Sequence, residues 1–236
     1  GYFADKTDEV GLSTQRNDTR GAVAFDADND GWLDIFAANW GQPCEFYLNR
    51  GDGRFRRENR GAEGPRDDES AKQGVTAADF DNDGDIDLYV CRRETGNWLL
   101  VNGGGGYFSE RAADYQVDVG GRSHGAVFTD IDNDADLDLF VVNYRTPNGP
   151  LPFLNVFINN ADGTFTDRTQ TYNIRMSGYS AVFGDVDNDS DFDMLLVRNP
   201  DKDPGARPVL YLNDGTGQLS PRPSTSTHVR VSSSRS

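Results

Sequence analysis

Apolar residues in this chain fall into short runs, each bounded by Gly, Asp, Asn or Pro. In the first clear block the runs cover 21–25, 33–39, 45–49 and 54–58, and an Asp-Gly turn at 52–53 precedes the last of them. Short alternating runs between turn residues predict β-strands, and helical periodicity is almost absent. The pattern therefore predicts an all-β fold built from four-stranded units.

The same block of four runs occurs three more times. The later runs are 74–78, 86–91, 98–102 and 107–110; then 125–128, 137–143, 156–159 and 164–166; then 180–183, 192–197, 209–213 and 218–220. An internal period of this size is the signature of a repeat architecture. We predict four units, with bounds at 20–71, 72–122, 123–176 and 177–221.

The two ends of the chain do not form whole units. Residues 1–7 match the fourth run of later units, such as 106–109. We therefore expect 1–19 to be the end strand and loop of a preceding unit, a surplus strand beside the four units. Residues 222–236 are rich in Ser and Thr and poor in apolar residues, which predicts a disordered, O-glycosylated or linker tail.

An Asp-rich loop of nine residues lies between the first and second runs of every unit. It has Asp at positions 1, 3, 5 and 9 and an apolar residue at position 8, and the loops follow one another at steps of 53, 51 and 55 residues. These aspartates are Asp26, Asp28, Asp30 and Asp34; Asp79, Asp81, Asp83 and Asp87; Asp130, Asp132, Asp134 and Asp138; and Asp185, Asp187, Asp189 and Asp193. Unpaired carboxylates so close together repel one another, and a divalent cation removes that cost.

Calcium suits these loops best because it takes six to eight oxygen ligands at roughly 2.3–2.6 Å in flexible geometry. Position 7 adds a backbone carbonyl, and Gly31 or Gly84 at position 6 suits a sharp turn. Ala135 and Ser190 replace that glycine in the third and fourth loops, where we expect weaker or partly filled sites. The residues at position 7 are Trp32, Asp85, Asp136 and Asp191. We predict about four calcium ions, one per repeat.

Other interpretations of the loops are less favoured. Magnesium keeps its waters and binds few carboxylates, and zinc or copper would call for His or Cys. An EF-hand needs Glu at position 12 and flanking helices, whereas position 12 holds Ala37, Val90, Val141 and Leu196. The plain alternative is four acidic surface turns that bind no metal.

The composition agrees with a metal-binding extracellular protein. The formal charge is −16, from 39 acidic and 23 basic residues. Sixteen of the acids, four in each of four loops, are the predicted ligands, so four calcium ions would leave a charge of about −8. No basic patch points to nucleic acid, and no apolar run is long enough to span a membrane. No signal peptide is visible, so we expect a mature end or a fragment.

Two cysteines and two glycosylation sequons bear on the compartment of the protein. Cys44 and Cys91 lie in comparable places of units one and two, which leaves open a disulfide between units or two buried thiols. A glycosylation sequon at Asn17 lies in a predicted loop, while a second, at Asn188, lies inside a metal loop where a glycan would crowd the ion.

A second signature supports the register of the repeats. The pattern Asn-x-(Gly/Ala)-x-Gly-x-(Phe/Leu) occurs at 49–55, 102–108, 159–165 and 213–219. With the Asp loop and the apolar strand after it, this pattern resembles the FG-GAP/VCBS repeat of integrin α chains and of ASPIC/UnbV-type secreted proteins. The resemblance implies a β-propeller-type array with one four-stranded blade per unit. It also implies calcium ligands at loop positions 1, 3, 5 and 9 and a carbonyl ligand at position 7.

The number of blades departs from the family pattern, in which propellers usually have seven. Three arrangements stay open: a fragment of a larger ring, a small closed ring, or an open array whose end strands pair head to tail with other copies.

We expect a calcium-binding extracellular module for protein binding or structural self-assembly. Insertions at 146–152 and 199–208 are the expected binding loops. A lectin-like alternative would use Trp32, Trp40 and Trp98 to stack on sugars, although packing between blades is the simpler role for an aromatic residue. We expect no catalytic activity, since the two histidines, His124 and His228, have no nucleophile pattern around them; an accessory domain of a secreted enzyme is the remaining catalytic possibility.

Overall fold

The all-β prediction is confirmed by the computed structural model, which describes residues 2–12, 17–64, 70–144, 154–198 and 206–222. These residues form four antiparallel four-stranded sheets, here called blades 1 to 4, and one short helix. That helix is too short to cross a membrane, and it is the only one in the described part of the chain. The architecture is therefore a propeller-like array of blades.

Within every blade the strands follow one another in chain order from one edge of the sheet to the other. Blade 1 contains β1 (Thr19–Phe25), β2 (Asp34–Asn39), β3 (Glu45–Asn49) and β4 (Phe55–Glu58), and blade 2 contains β5 (Ala71–Ala78), β6 (Asp87–Arg93), β7 (Trp98–Asn102) and β8 (Phe108–Glu110). Blade 3 contains β9 (Ser123–Thr129), β10 (Asp138–Asn143), β11 (Asn155–Asn159) and β12 (Phe165–Asp167), followed by α1 (Thr169–Tyr172). Blade 4 contains β13 (Gly178–Gly184), β14 (Asp193–Arg198), β15 (Val209–Leu212) and β16 (Ser220–Pro221).

The hydrophobic core lies between blades. Three clusters of buried apolar residues join blades 1 and 2, blades 2 and 3, and blades 3 and 4. Each junction contains a pair of aromatic rings from the two blades: Phe46 and Phe108 with centroids 5.6 Å apart, Phe80 and Phe165 at 5.8 Å, and Phe140 and Phe183 at 4.7 Å. A single blade therefore cannot bury its apolar faces without a neighbour.

The first strands of the blades pack backbone against backbone. A Cβ atom on Gly21 would lie 2.6 Å from the carbonyl oxygen of Gln73, and one on Gly74 would lie 2.5 Å from that of His124. Only glycine permits this approach. Blade 4 has Ser180 at the equivalent position, five residues before its Asp loop.

The array is open. β1 contacts β5, β5 contacts β9, and β9 contacts β13, but within the described residues β13 makes no comparable contact with β1. The structure therefore does not form the small closed ring that the sequence left as one of three arrangements.

The surplus N-terminal strand is a correction to the prediction. Within the described residues 2–6 no strand pairing is present, and Tyr2 and Phe3 are fully exposed, because no third strand of a preceding blade lies beside them. The turn that follows does hold the expected place: the Val10 carbonyl accepts the Phe55 N–H at 2.7 Å, just as the Arg60 carbonyl accepts the Phe108 N–H at 2.8 Å.

Several sequence predictions concern residues outside the described ranges. The insertions at 146–152 and 199–208 and the tail at 222–236 lie wholly or largely there, as does His228. Cys44 and Cys91 are described, and no disulfide joins them. Cys44 is buried between blades 1 and 2 and Cys91 between blades 2 and 3, and burial raises the pKa of the Cys91 thiol.

We predict that Gly74→Ala destabilises the array by about 2 kcal/mol, since the new methyl group overlaps the His124 carbonyl and forces blades 2 and 3 apart. The measurement is the free energy of unfolding in urea. The control is Gly184→Ala in β13, where no atom of the described residues lies within 4 Å of the new Cβ, and where we expect a change below about 0.5 kcal/mol. Equal effects of the two substitutions would contradict the close approach of the first strands.

Candidate metal centres

Each Asp loop brings three carboxylates together. Oxygen atoms from positions 1, 3 and 9 all lie within 4.8 Å of one another, although 6 or 8 residues separate position 9 from the other two. The four groups are Asp26, Asp28 and Asp34; Asp79, Asp81 and Asp87; Asp130, Asp132 and Asp138; and Asp185, Asp187 and Asp193. Each loop therefore presents a cluster of oxygen ligands of the kind that hard divalent cations prefer.

Backbone N–H groups hold the loop closed around position 1. In the first loop the Asp26 carboxylate accepts the N–H groups of Asp30 at 3.1 Å and Gly31 at 2.8 Å. The same two bonds recur in the other three loops. Position 5 bonds locally, since Asp30 accepts the Trp32 N–H at 2.9 Å. The loop conformation therefore forms through its own hydrogen bonds.

Two residues of each loop adopt a left-handed backbone. The Asn at position 4 has φ between 58 and 64°, and position 6 has φ of 89° in Gly31, 92° in Gly84, 75° in Ala135 and 78° in Ser190. A left-handed φ is costly for a residue with a Cβ atom. The third and fourth loops therefore store backbone strain that the first two avoid.

The aspartate at position 9 is buried and ties the loop to its own blade. Asp87 accepts the N–H groups of Phe80 at 3.4 Å and Asn102 at 2.8 Å, and so joins the loop to the start of β6 and the end of β7. Burial, with a smaller contribution from the Asp81 charge, raises the pKa of Asp87 to about 8. Burial likewise raises the pKa of Asp138 to about 7. A cation that enters these loops must therefore displace protons.

Two buried carboxylate oxygen atoms show whether these loops suit a cation. Oδ1 of Asp28 and Oδ1 of Asp132, both at loop position 3, are buried and have no hydrogen-bond partner within the described part of the chain. A buried carboxylate oxygen without a partner is costly, and a metal ion would satisfy it. Arg60 offsets some charge in the first loop through its contact with Asp28 at 3.3 Å. The residues present fit a divalent cation with oxygen ligands.

The structure places the other predicted ligands differently. The carboxylates at position 5 (Asp30, Asp83, Asp134, Asp189) lie outside the clusters of three. At position 7 three carboxylates accept a side-chain bond from the Asn at position 4 of the preceding loop: Asn29 to Asp85 at 2.8 Å, Asn82 to Asp136 at 3.0 Å, and Asn133 to Asp191 at 2.7 Å. Trp32, at position 7 of the first loop, is exposed. In loops two to four the side chain at position 7 therefore connects the loop to the preceding one.

The second sequence signature has a role that its spacing did not reveal. The amide of its Asn crosses to the preceding blade and donates to the carbonyl at loop position 2. The three bonds, here called the Asn latch, join Asn102 to Ala27, Asn159 to Phe80 and Asn213 to Ile131, each at 2.8 Å and each buried. The same amides also donate to the carbonyl at position 8 of their own loop. Each latch therefore fixes two metal loops relative to one another.

Comparison with known proteins gives one matching repeat family and relatives of one name. The FG-GAP-like repeat family matches three overlapping segments, 26–90, 79–141 and 130–196. Each segment begins at position 1 of one Asp loop and ends in the second strand of the next blade, so the family unit spans a junction between blades.

Two relatives share one name. Cartilage acidic protein 1 of Mus musculus is 30% identical over 173 residues, which cover 64% of this chain and 25% of the mouse protein. The Homo sapiens protein of that name is also 30% identical over 173 residues, which cover 64% of this chain and 24% of the human protein. The chain spans about a quarter of the length of these relatives.

We predict that Asn102→Ala lowers the free energy of unfolding by about 2 kcal/mol, because it leaves the buried Ala27 carbonyl without its donor. Asn49→Ala is the matched control: Asn49 holds the same position in blade 1, but among the described residues its amide donates within that blade, to the Leu33 carbonyl at 3.0 Å. Its cost should be about 1 kcal/mol. Urea unfolding of both variants measures the difference, and equal losses would show that the latch adds nothing between blades.

Proposed function

Because the chain belongs to the FG-GAP-like repeat family, we propose that it is a calcium-binding repeat module of an extracellular protein, whose blades present surfaces for other proteins. The ligands that we propose in each repeat are the converging aspartates at loop positions 1, 3 and 9. The aspartate at position 5 and the position 7 carbonyl complete the set when the ion binds. Four such sites hold about four calcium ions. When bound, calcium supplies the positive charge that keeps each set of carboxylates ionised and in place.

One observation supports the calcium proposal above the others. Three carboxylates converge in every loop, and in two loops a buried oxygen of position 3 has no hydrogen-bond partner within the described residues. The same loops carry the Asn latch and the Asn–Asp bonds between loops. Calcium would therefore stabilise the junctions between blades as well as the loops, by binding the folded state.

An extracellular setting follows from the same chemistry. Loops with ligands of this kind fill where calcium is at millimolar concentration. Asn17, in the sequon before β1, lies in the described part of the chain and is half-buried. We propose that it carries an N-glycan. The name of the two relatives, cartilage acidic protein 1, is compatible with this setting.

The outer face of blade 4 is the surface that we propose for protein binding. Val186, at loop position 2, is 51% exposed, whereas Ala27, Phe80 and Ile131 at the equivalent positions are at most 1% exposed because the next blade covers them. Leu195 is 39% exposed, while its counterparts Phe36, Tyr89 and Phe140 are fully buried. Exposed apolar area of this kind marks an interaction surface.

The occupant that fits this face is the blade 1 face of a second copy. In loops one to three the position 2 carbonyl accepts a bond from an Asn of the following blade. Asn49 of blade 1 has an amide that, within the described residues, reaches no such carbonyl. A head-to-tail contact of Asn49 with Val186 would repeat the contact that Asn102 makes with Ala27. We propose self-assembly through this contact.

The other functions considered from the sequence have less support. Trp98 is only 2% exposed and packs under Lys72 and Arg92, which makes it a core residue and unable to stack on a sugar. Trp32 lies beside Gly51 on the loop side, and Trp40 lines a cavity considered below. The family and the relatives point to a repeat module, and the proposal contains no catalytic step.

We predict that calcium raises the melting temperature by roughly 5–10 °C for each site filled at 100 times its dissociation constant. The measurement compares thermal unfolding in calcium and in chelator at pH 8.5, where Asp138 is ionised and Asp87 is largely so. Asp87→Asn should remove part of the rise, while Asp52→Asn, in an exposed hairpin outside the loops, should leave it intact. A melting curve that chelation does not change would disprove the calcium proposal.

We predict a mass above 26.0 kDa in light scattering on a sizing column, rising with protein concentration in calcium. Leu195→Glu should return the protein to a monomer, because a charge on the blade 4 face opposes its burial. Tyr107→Ser removes another exposed aromatic residue and serves as the control. A monomer at every concentration would exclude self-assembly through this face and leave a different protein as the partner.

A further inference from the structure

A cavity of about 630 Å³ opens at the end of the strands opposite the Asp loops. Arg20 lies near the start of β1 and Trp40 follows the end of β2, whereas the Asp loop joins the other ends of these two strands. A seven-residue strand places the two regions roughly 20 Å apart. The cavity is therefore separate from the candidate metal centres.

The lining of this cavity is basic in a strongly acidic chain. It contains three arginines, Arg20, Arg93 and Arg122, and the described residues that line it include no carboxylate. Asp18 contacts Arg20 at 2.7 Å, and Glu94 contacts Arg122 at 2.9 Å and Arg93 at 3.4 Å. Both acids are exposed, and exposed ion pairs hold arginine only weakly. Positive charge therefore exceeds negative charge here, although the whole chain has a charge of −16.

Two of the three arginines are held in place by an aromatic ring. The guanidinium carbons of Arg20 and Arg93 lie 5.1 and 5.3 Å from the centroid of the Trp40 ring. His124 packs against Tyr144 at 5.0 Å and Tyr179 at 5.2 Å between centroids. Side chains that are already ordered lose little entropy when a ligand binds. The cavity is therefore largely pre-formed.

His124 adds hydrogen-bonding capacity without charge. Its burial, and next the nearby Arg93 charge, lower the pKa of the imidazole, so that it is neutral at pH 7. Together with the amide of Gln73 it offers donors and acceptors suited to hydroxyl groups. The lining thus combines guanidinium groups, aromatic rings and neutral polar groups.

We propose that this cavity binds an acidic saccharide through a carboxylate or sulfate group. A guanidinium pairs with either anion in a bidentate manner, and the aromatic rings suit the apolar faces of a sugar ring. The volume lies in the range of small-molecule sites. An acidic peptide is the less suitable ligand, because peptide binding by strand addition uses a free sheet edge, whereas this cavity is lined by side chains from all four blades.

The site depends on the assembled array. Arg20 comes from blade 1, Arg93 from blade 2, Arg122 from the segment just before β9, and Tyr179 from blade 4. No single repeat carries enough of the lining to bind. The proposal is independent of self-assembly through blade 4, and all binding measurements are made in saturating calcium so that the fold is intact.

The test is calorimetric titration of the full chain with four probes: a uronic-acid disaccharide, its sulfated form, a neutral disaccharide of equal size, and an acidic hexapeptide. We expect binding of one or both acidic disaccharides, weakening at high salt, and none of the neutral one. Arg93→Gln and Arg122→Gln should each weaken binding at least about tenfold. Arg50→Gln, an exposed arginine of the β3–β4 hairpin, is the matched control and should leave affinity unchanged.

Melting temperatures of the variants separate misfolding from loss of the site. If neither acidic disaccharide binds to the folded wild-type chain, the proposal fails. It also fails if Arg93→Gln and Arg122→Gln keep full affinity while folded. If the hexapeptide binds more tightly than either disaccharide, the saccharide proposal is wrong and the cavity is a site for acidic protein segments.

Discussion

The rest of the structure depends on the convergence of like charges in the Asp loops. Three carboxylates approach within 4.8 Å in each loop, and backbone N–H groups and burial hold them there. The aspartate at position 9 belongs at once to this cluster and to the hydrogen bonds that fix its blade, as Asp87 does with Asn102. The charge state of the loop and the packing of the blades are therefore coupled. The low-dielectric setting strengthens both the repulsion between the carboxylates and the hydrogen bonds that hold them together.

Apolar packing and polar links have different roles at the junctions. The apolar clusters between blades favour their association by burying hydrophobic surface, but such burial is non-directional and does not by itself specify a register. The Asn latch and the Asn–Asp bonds do specify it, since each joins one defined atom to another across blades. Asn29, for example, reaches Asp85 only when loops one and two lie in the observed register.

The sequence predicts what is local and repeated. The strands, the Asp loops and the left-handed turn at Gly31 and Gly84 all follow from composition and spacing. The latch escaped prediction because its donor and acceptor lie 75 to 82 residues apart, and only the fold brings them together. The basic cavity escaped for the same reason: Arg20, Arg93 and Arg122 are scattered along the chain, so no basic patch is visible in the sequence. The strand expected at residues 1–7 depended on a neighbouring strand that pattern alone cannot supply.

The Asn latch and the Asn–Asp bonds between loops each run in one direction along the array, which has a consequence for how such arrays change in length. Each blade offers an Asn amide towards the blade before it and a loop carbonyl towards the blade after it. If blade 2 were removed as a whole unit, Asn159 would meet the Ala27 carbonyl and Asn29 would meet Asp136. Blades 1 and 3 would then be joined by the same two kinds of hydrogen bond. Removal of half a unit would leave a buried donor on one side and a buried acceptor on the other. Whole repeats are therefore the units by which such an array can gain or lose length without leaving buried polar groups unpaired.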